Sequence, residues 1–324
     1  MTLGRGMYGC VLLSLVTLII LVCWIPTPPA YAGQIRVAVV ESRQIKAYDL
    51  ALDGFTEALV KRGYAASMVR YVVGEDVNTP EDFKAKVEET GADVVLALGT
   101  SAARLVKDAG TSIPSVFSMV SEPAQSGLLN SDSADGTPMT GVCLDVPVEN
   151  QFKSLLDVVP RARKIGVIYN PEESQFMVDE ARHAANRMGL GLVTYEVHSE
   201  AEVHEGLNSL RPRIDALWLV SDRTVLTTTS LQYVFLFAFQ TNLPLMGVSE
   251  HFVRMGALVA VGPDYYDVGS QSGEFAAQIL GGRNPEELPV ASPRKVQLSL
   301  NLRTAEIIGL RIPEVVVRKA TSVY

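Results

Sequence analysis

Hydroxyl and carboxylate side chains recur in this chain wherever a short apolar run stops. Glu41 and Ser42 follow residues 35–40, Thr100 and Ser101 follow 93–98, and Ser121 and Glu122 follow 115–120. In the second half, Asn170 through Ser174 follow 164–169, Asp222 follows 216–220, and Ser249 and Glu250 follow 244–248. Such groups suit recognition of a small polar-ended ligand. Thr100 and Ser101, at a helix start, offer hydroxyls and backbone N–H groups to a carboxylate. Ser121, Glu122 and above all Asp222 offer acceptors to an ammonium. Each also has a plain structural duty: Ser101 as an N-cap, Asn170 before Pro171 as an Asx turn, Asp222 as a solvated loop carboxylate. Glu41, Ser42, Ser249 and Glu250 are candidates by position alone.

Catalysis finds little support. His183, His198, His204 and His251 lack metal-ligand spacing, no Gly-x-Ser-x-Gly elbow occurs, and nothing pairs a nucleophile with a base. The expectation is a binding surface without enzyme activity, cofactor or metal, a hydrolase being the minority reading. Of the aromatics that would stack on a ring, Tyr48, Phe117, Tyr169, Phe176 and Trp218, the last sits in an apolar strand and is assigned to the core.

The elements that position these residues alternate. Runs of β-branched and aliphatic residues at 35–40, 68–73, 93–98, 115–120 and 141–144 read as buried strands, with helical spacing between most of them. Thr79-Pro80-Glu81-Asp82 opens one helix with a cap, a first-turn proline and two acids. The pattern restarts at 164–169 and continues through strands 191–197, 216–220 and 244–248 and helices at about 175–188, 201–210 and 229–240. The fold class is α/β, two doubly wound parallel-sheet lobes whose polar strand ends face each other across a cleft.

Residues 1–32 read as a signal peptide: Arg5, the apolar stretch from Val11 to Trp24, then Ala30-Tyr31-Ala32. An uncleaved membrane anchor is the alternative. Val22 before Cys23 argues against lipidation. The domain is expected outside the cytoplasm, in the periplasm. With Arg5 removed, the net charge of −8 becomes −9, which argues against nucleic acid or an anionic membrane as partner. Cys143 is then alone and has no internal disulfide partner.

From Ile168-Tyr-Asn-Pro-Glu-Glu-Ser the chain resembles the tryptophan-type solute-binding proteins of ABC transporters. These share the type I periplasmic binding fold of the leucine/isoleucine/valine-binding proteins. Residues 97–103, Ile113-Pro-Ser-Val-Phe, Glu122-Pro123 through Gly127-Leu128, 256–262, 277–282, 301–310 and Ile312-Pro313 carry the same likeness across the whole mature chain. At Glu122 the family commonly has Asp. The resemblance implies an amino acid or similar ligand, closure about hinges, and delivery to a separately encoded permease and ATPase. A sensory module reporting to a membrane receptor is the alternative. The lobes would be 33–145 plus about 264–295, and 146–263, with 296–324 completing them. Hinges are expected near 144–147, 262–264 and 290–300, and the protein is expected to be a monomer.

Overall fold

The computed structural model describes residues 33–124, 126–128 and 138–324. The expected signal segment and most of the polar loop after Asn130 lie outside these residues. Two sheets organise the chain. The first has five strands in the order β2-β1-β3-β4-β5: β1 (Gly33–Glu41), β2 (Tyr64–Val72), β3 (Val94–Leu98), β4 (Ser115–Val120) and β5 (Met139–Cys143). All its pairings are parallel. Every residue of β3 and β4 is buried, which is why these runs carry no polar alternation: helices cover both faces of the sheet.

One face packs against α1 (Lys46–Lys61), the other against α2 (Pro80–Thr90) and α3 (Thr100–Asp108), giving two apolar layers around Phe55 and Leu59 and around Phe83 and Val106.

The second sheet has seven strands, ordered β12-β11-β10-β9-β8-β6-β7. Its early members are β6 (Lys164–Tyr169), β7 (Gly191–Glu196), β8 (Ala216–Trp218), β9 (Leu245–Gly247) and β10 (Val259–Pro263). Helices α4 (Val148–Val158) and α5 (Pro171–Met188) cover one face, while α6 (Val203–Leu210) and α7 (Thr228–Gln240) cover the other. A short helix, α8 (Glu250–Met255), links β9 to β10. Trp218 lies in the core, edge-on to Phe152 at 5.2 Å.

The chain then returns to the first sheet. Helix α9 (Tyr265–Leu280) lies along α1, and Ala291 bridges Val142 beside β5. Finally β11 (Val296–Leu300), α10 (Leu302–Ile307), α11 (Glu314–Lys319) and β12 (Ser322–Val323) complete the second lobe. The chain thus passes between the sheets three times, at residues 144–147, 263–265 and 292–295.

Three local departures from the sequence expectation have clear causes. Strand β11 runs antiparallel to β10, although parallel sheets were expected. Pro263 and Val296 are register partners at the crossing end, so a strand entering there has to run back along the one that left. Helix α3 is headed by Gly99 (φ 88°) rather than capped by Ser101. Helix α5 starts at Pro171, not near 175, because Asn170 Oδ1 accepts the Glu172 N–H at 3.0 Å.

Contact between α1 and α9 depends on glycine. A Cβ on Gly269 would overlap the Ala51 carbonyl, and one on Gly54 would overlap the Tyr266 carbonyl and sit 2.9 Å from the Ser270 nitrogen. Backbone lies against backbone, so neither helix can yield by rotating a side chain. Gly269→Ala should therefore lower stability by about 1–3 kcal/mol, a loss of several degrees in thermal unfolding. Gly33→Ala, with no atom within 4 Å, should leave it unchanged. Equal unfolding temperatures for the two variants would refute the close-packing account.

Candidate ligand-binding cleft

Three connected cavities occupy the carboxyl edges of the two sheets, where helix N-termini and strand ends expose polar backbone. The central one, about 370 Å³, lies between the lobes and is walled by Ser121 from the first, Ser221, Ser249 and Gln297 from the second, and Asp145 in the first crossing. A second, about 530 Å³, opens on the first lobe at Ser42, Thr100 and Ser101, sharing Ser121, Leu144 and Tyr265 with the centre. A third, about 340 Å³, holds Glu122, Ser174 and Phe176, and shares Asp145, Gln151, Met177 and Ser221 with the centre.

On the first lobe, the β3–α3 turn presents donors. Gly99 has a positive φ, and the Tyr48 hydroxyl and Ser42 Oγ leave no room for a Cβ, so both the backbone and the space call for glycine. Ser42 Oγ accepts the Ala102 N–H at 2.9 Å, so Ser42 caps a helix that its own strand does not precede. The N–H groups of Thr100 and Ser101 belong to the first turn, where no intrahelical acceptor exists. With the helix dipole behind them they form an edge suited to a carboxylate.

At the first crossing, the chemistry reverses. Glu122 adopts φ 47° after β4, and its N–H donates to Asp145 Oδ2 at 2.8 Å. Burial pushes the Glu122 carboxyl up, and the neighbouring Asp145 charge adds to the effect. Asp145 opens to solvent in the cleft, yet the protein around it also pushes its carboxyl up, opposed by the Glu122 N–H. Gln151 secures this corner. Its Nε2 donates to the Val146 carbonyl at 2.9 Å, and its Oε1 accepts the Trp218 indole N–H at 2.8 Å.

Several expected contacts have other employment. Asp222, 1 % exposed, was expected to meet an ammonium, but both its oxygens are taken. Oδ2 accepts the Asn170 N–H at 2.7 Å, and Oδ1 accepts those of Thr224 at 2.9 Å and Val225 at 3.2 Å. Asn170 in turn donates from Nδ2 to Thr224 Oγ1 at 2.9 Å. The pair locks two strand ends together and lines none of the three cavities. Glu41, 0 % exposed, is likewise absent from them and pairs with Arg70 at 2.6 Å; burial raises its carboxyl pKa against that guanidinium.

Ser249 and Glu250 do wall the central cavity, although Glu250 is engaged by the Tyr324 hydroxyl, which lowers its pKa. Ser174 is buried beside the third cavity. Asp145, Gln151, Gln297 and Tyr265 line the centre without having been singled out as ligand contacts. The one available signal was an acid inside Leu144-Asp-Val-Pro147, a stretch read as a hinge. Of the aromatics, Tyr48, Phe117 and Tyr169 are buried, while Phe176 stands open at the third cavity. Among the described residues, no three His, Cys, Asp or Glu are arranged to hold a metal ion, and no helix is long and apolar enough to cross a membrane.

Two outcomes follow from these roles. Asp222→Ala strands three backbone N–H groups, two of them buried and that of Thr224 half-buried, and should destabilise the ligand-free protein by about 2–4 kcal/mol, read by urea unfolding. A midpoint equal to the parent's would contradict the locking role. Second, the raised pKa values of Glu122 and Asp145 mean that the folded state holds their protons more tightly than the unfolded chain. Their contribution to stability therefore falls as pH climbs above about 4 and through the raised range. Glu122→Gln should flatten that decline in unfolding temperature; parallel pH profiles for variant and parent would count against it.

Comparison with known proteins places this geometry. The family model described as ABC transporter substrate binding protein matches residues 36–324. A tyrosine-binding protein of Clostridioides difficile is 26 % identical over 269 residues, covering 81 % of this chain and 77 % of the relative. A ligand-free, open substrate-binding protein with adhesive properties from Clostridium difficile superposes with a TM-score of 0.72 at 26 % identity, over 89 % of this chain and 98 % of that one. A Streptococcus pneumonia ABC domain in complex with L-Trp shares the fold, with a TM-score of 0.54 at 22 % identity over 90 % and 100 % of the two chains. With two parallel-sheet lobes that superpose on those binding proteins and a family model that matches residues 36–324, the chain belongs to the ABC transporter substrate-binding protein family.

Proposed function

We propose that the protein captures a free amino acid between its lobes, outside the cytoplasm, and hands it to the permease of an ABC importer without altering it chemically. The observation that carries this reading is the polarity of the cleft. Helix N–H groups at Thr100 and Ser101 stand on one side, and the Asp145 carboxylate stands at the crossing, with a continuous cavity between them. A zwitterion presents an anion and a cation a few bonds apart and matches that pair of ends. The amino-acid specificity of the tyrosine-binding relative supports the same reading.

Closure follows from where the contacts lie. A ligand seated on the first lobe gains Ser221, Ser249 and Gln297 from the second only when the lobes approach. Those extra contacts are the differential affinity that shifts an open–closed equilibrium. The pivots are the crossings at 144–147, 263–265 and 292–295. The third is held to α9 by Arg294, which pairs with Asp267 at 3.0 Å and Glu274 at 2.9 Å, so bending falls to the residues on either side. The closed form presents both lobes together to the permease.

The test is a thermal-shift and calorimetric screen of the purified protein against the proteinogenic amino acids. A ligand at a hundred times its dissociation constant should add about 2.7 kcal/mol of stability, or several degrees. Asp145→Asn keeps an acceptor for the Glu122 N–H but loses the charge, and should weaken the hit about tenfold or more. Uptake of the labelled hit by cells lacking the gene should fall. A panel without any shift, or a variant that binds like the parent, would reject the reading.

A further inference from the structure

The third cavity is unlike the other two. Carboxylates of Glu122, Asp145, Glu173 and Glu180 line it, and among the described residues no Lys, Arg or His does. Glu173 is already satisfied by Arg223, through the backbone N–H at 2.6 Å and the guanidinium at 3.1 Å. Among the described residues no Lys, Arg or His pairs with Glu122 or Asp145, and the Asp145 charge, whose carboxylate accepts the Glu122 N–H, acts on the Glu122 carboxyl.

Two further features point to an occupant. Ser174 lines the cavity and is only 3 % exposed, and among the described residues its Oγ has no hydrogen-bond partner. A buried hydroxyl left unpaired is costly unless something supplies a partner. Phe176, one turn from Glu180 on the same helix, is 67 % exposed, with Met177 beside it. A large apolar ring at the mouth of an acidic pocket is the surface that attracts an organic cation, the ring face adding to the carboxylates.

We propose that this cavity receives a cationic group, a primary ammonium or guanidinium on an apolar stem, with Glu122 and Glu180 as counter-charges, Ser174 Oγ as acceptor and Phe176 and Met177 against the stem. Because the cavity shares Asp145, Gln151, Met177 and Ser221 with the central one, the group is the side-chain end of the ligand whose zwitterionic end occupies the centre. This rests on the amino-acid reading above for the attachment, but not for the pocket. The substrate class becomes an amino acid with a basic side chain, aliphatic or aromatic.

The experiment uses matched pairs that differ in charge and little else: lysine against 2-aminoheptanoic acid, and 4-(aminomethyl)phenylalanine against 4-ethylphenylalanine. Titration calorimetry on the purified protein should show the charged member of each pair binding about tenfold tighter. The advantage should disappear in Glu122→Gln/Glu180→Gln and shrink in Ser174→Ala. The last variant only removes an unpartnered hydroxyl, so its unfolding temperature should not fall. Benzylamine, a cation without an amino-acid end, is the third probe and should raise the unfolding temperature of the parent but not of the double variant. If neutral members bind as well as charged ones, the cation pocket is overturned while the amino-acid reading stands. If no amino acid binds but benzylamine does, the reading fails and the pocket survives. Binding of none of these probes overturns the pocket.

Discussion

The rest of the structure depends on the meeting of α1 and α9. It is a contact of backbone with backbone, made possible by Gly54 and Gly269, between helices that lie more than two hundred residues apart. It draws the returning chain back onto the first sheet after the second sheet is almost complete. Because α9 is fixed there, β10 must end at the boundary between lobes and β11 must begin at it. Those two constraints produce the second and third crossings and the antiparallel pairing of β10 with β11. A looser packing, with larger residues at these positions, would push α9 outward and carry two of the three connections with it.

The first crossing has a different character, since it bears the cleft's chemistry. Asp145 sits in the first connection between the lobes, and its carboxylate accepts a hydrogen bond from the Glu122 N–H of the first lobe. Gln151 joins the same segment to Trp218 in the core of the second lobe. Charge in the cleft and the geometry of the first connection are therefore set by the same few residues.

Most of the architecture could be read before any coordinates. Strands buried on both faces leave uninterrupted apolar runs, and β3, β4 and β6 stand out for that reason. The antiparallel β11 did not, because direction depends on where a strand enters and not on its residues. The cleft was partly legible. Thr100, Ser101, Ser121 and Ser249 lie on cavity walls, as polar strand ends in such sheets generally do. Glu41, Asn170 and Asp222 have the same sequence signature but point back to Arg70 or to neighbouring N–H groups. A strand-end carboxylate reads alike whether it serves a ligand or the fold, and only the positions of the backbone donors separate the two. Asp145 escaped notice for the converse reason, being in a connection and not at a turn after a strand.

The interleaving of the lobes also has a bearing on biosynthesis. Residues through Cys143 supply all five strands of the first sheet, yet one of its faces is covered by α1 alone until α9 has been made. During that interval the whole second sheet except its last two strands is synthesised. Domains that are contiguous in sequence can close one after another as they emerge. Here the first lobe has to wait for the second to be nearly finished, so the nascent chain keeps apolar surface open until late. A polypeptide with that order of assembly offers chaperones a long period of engagement.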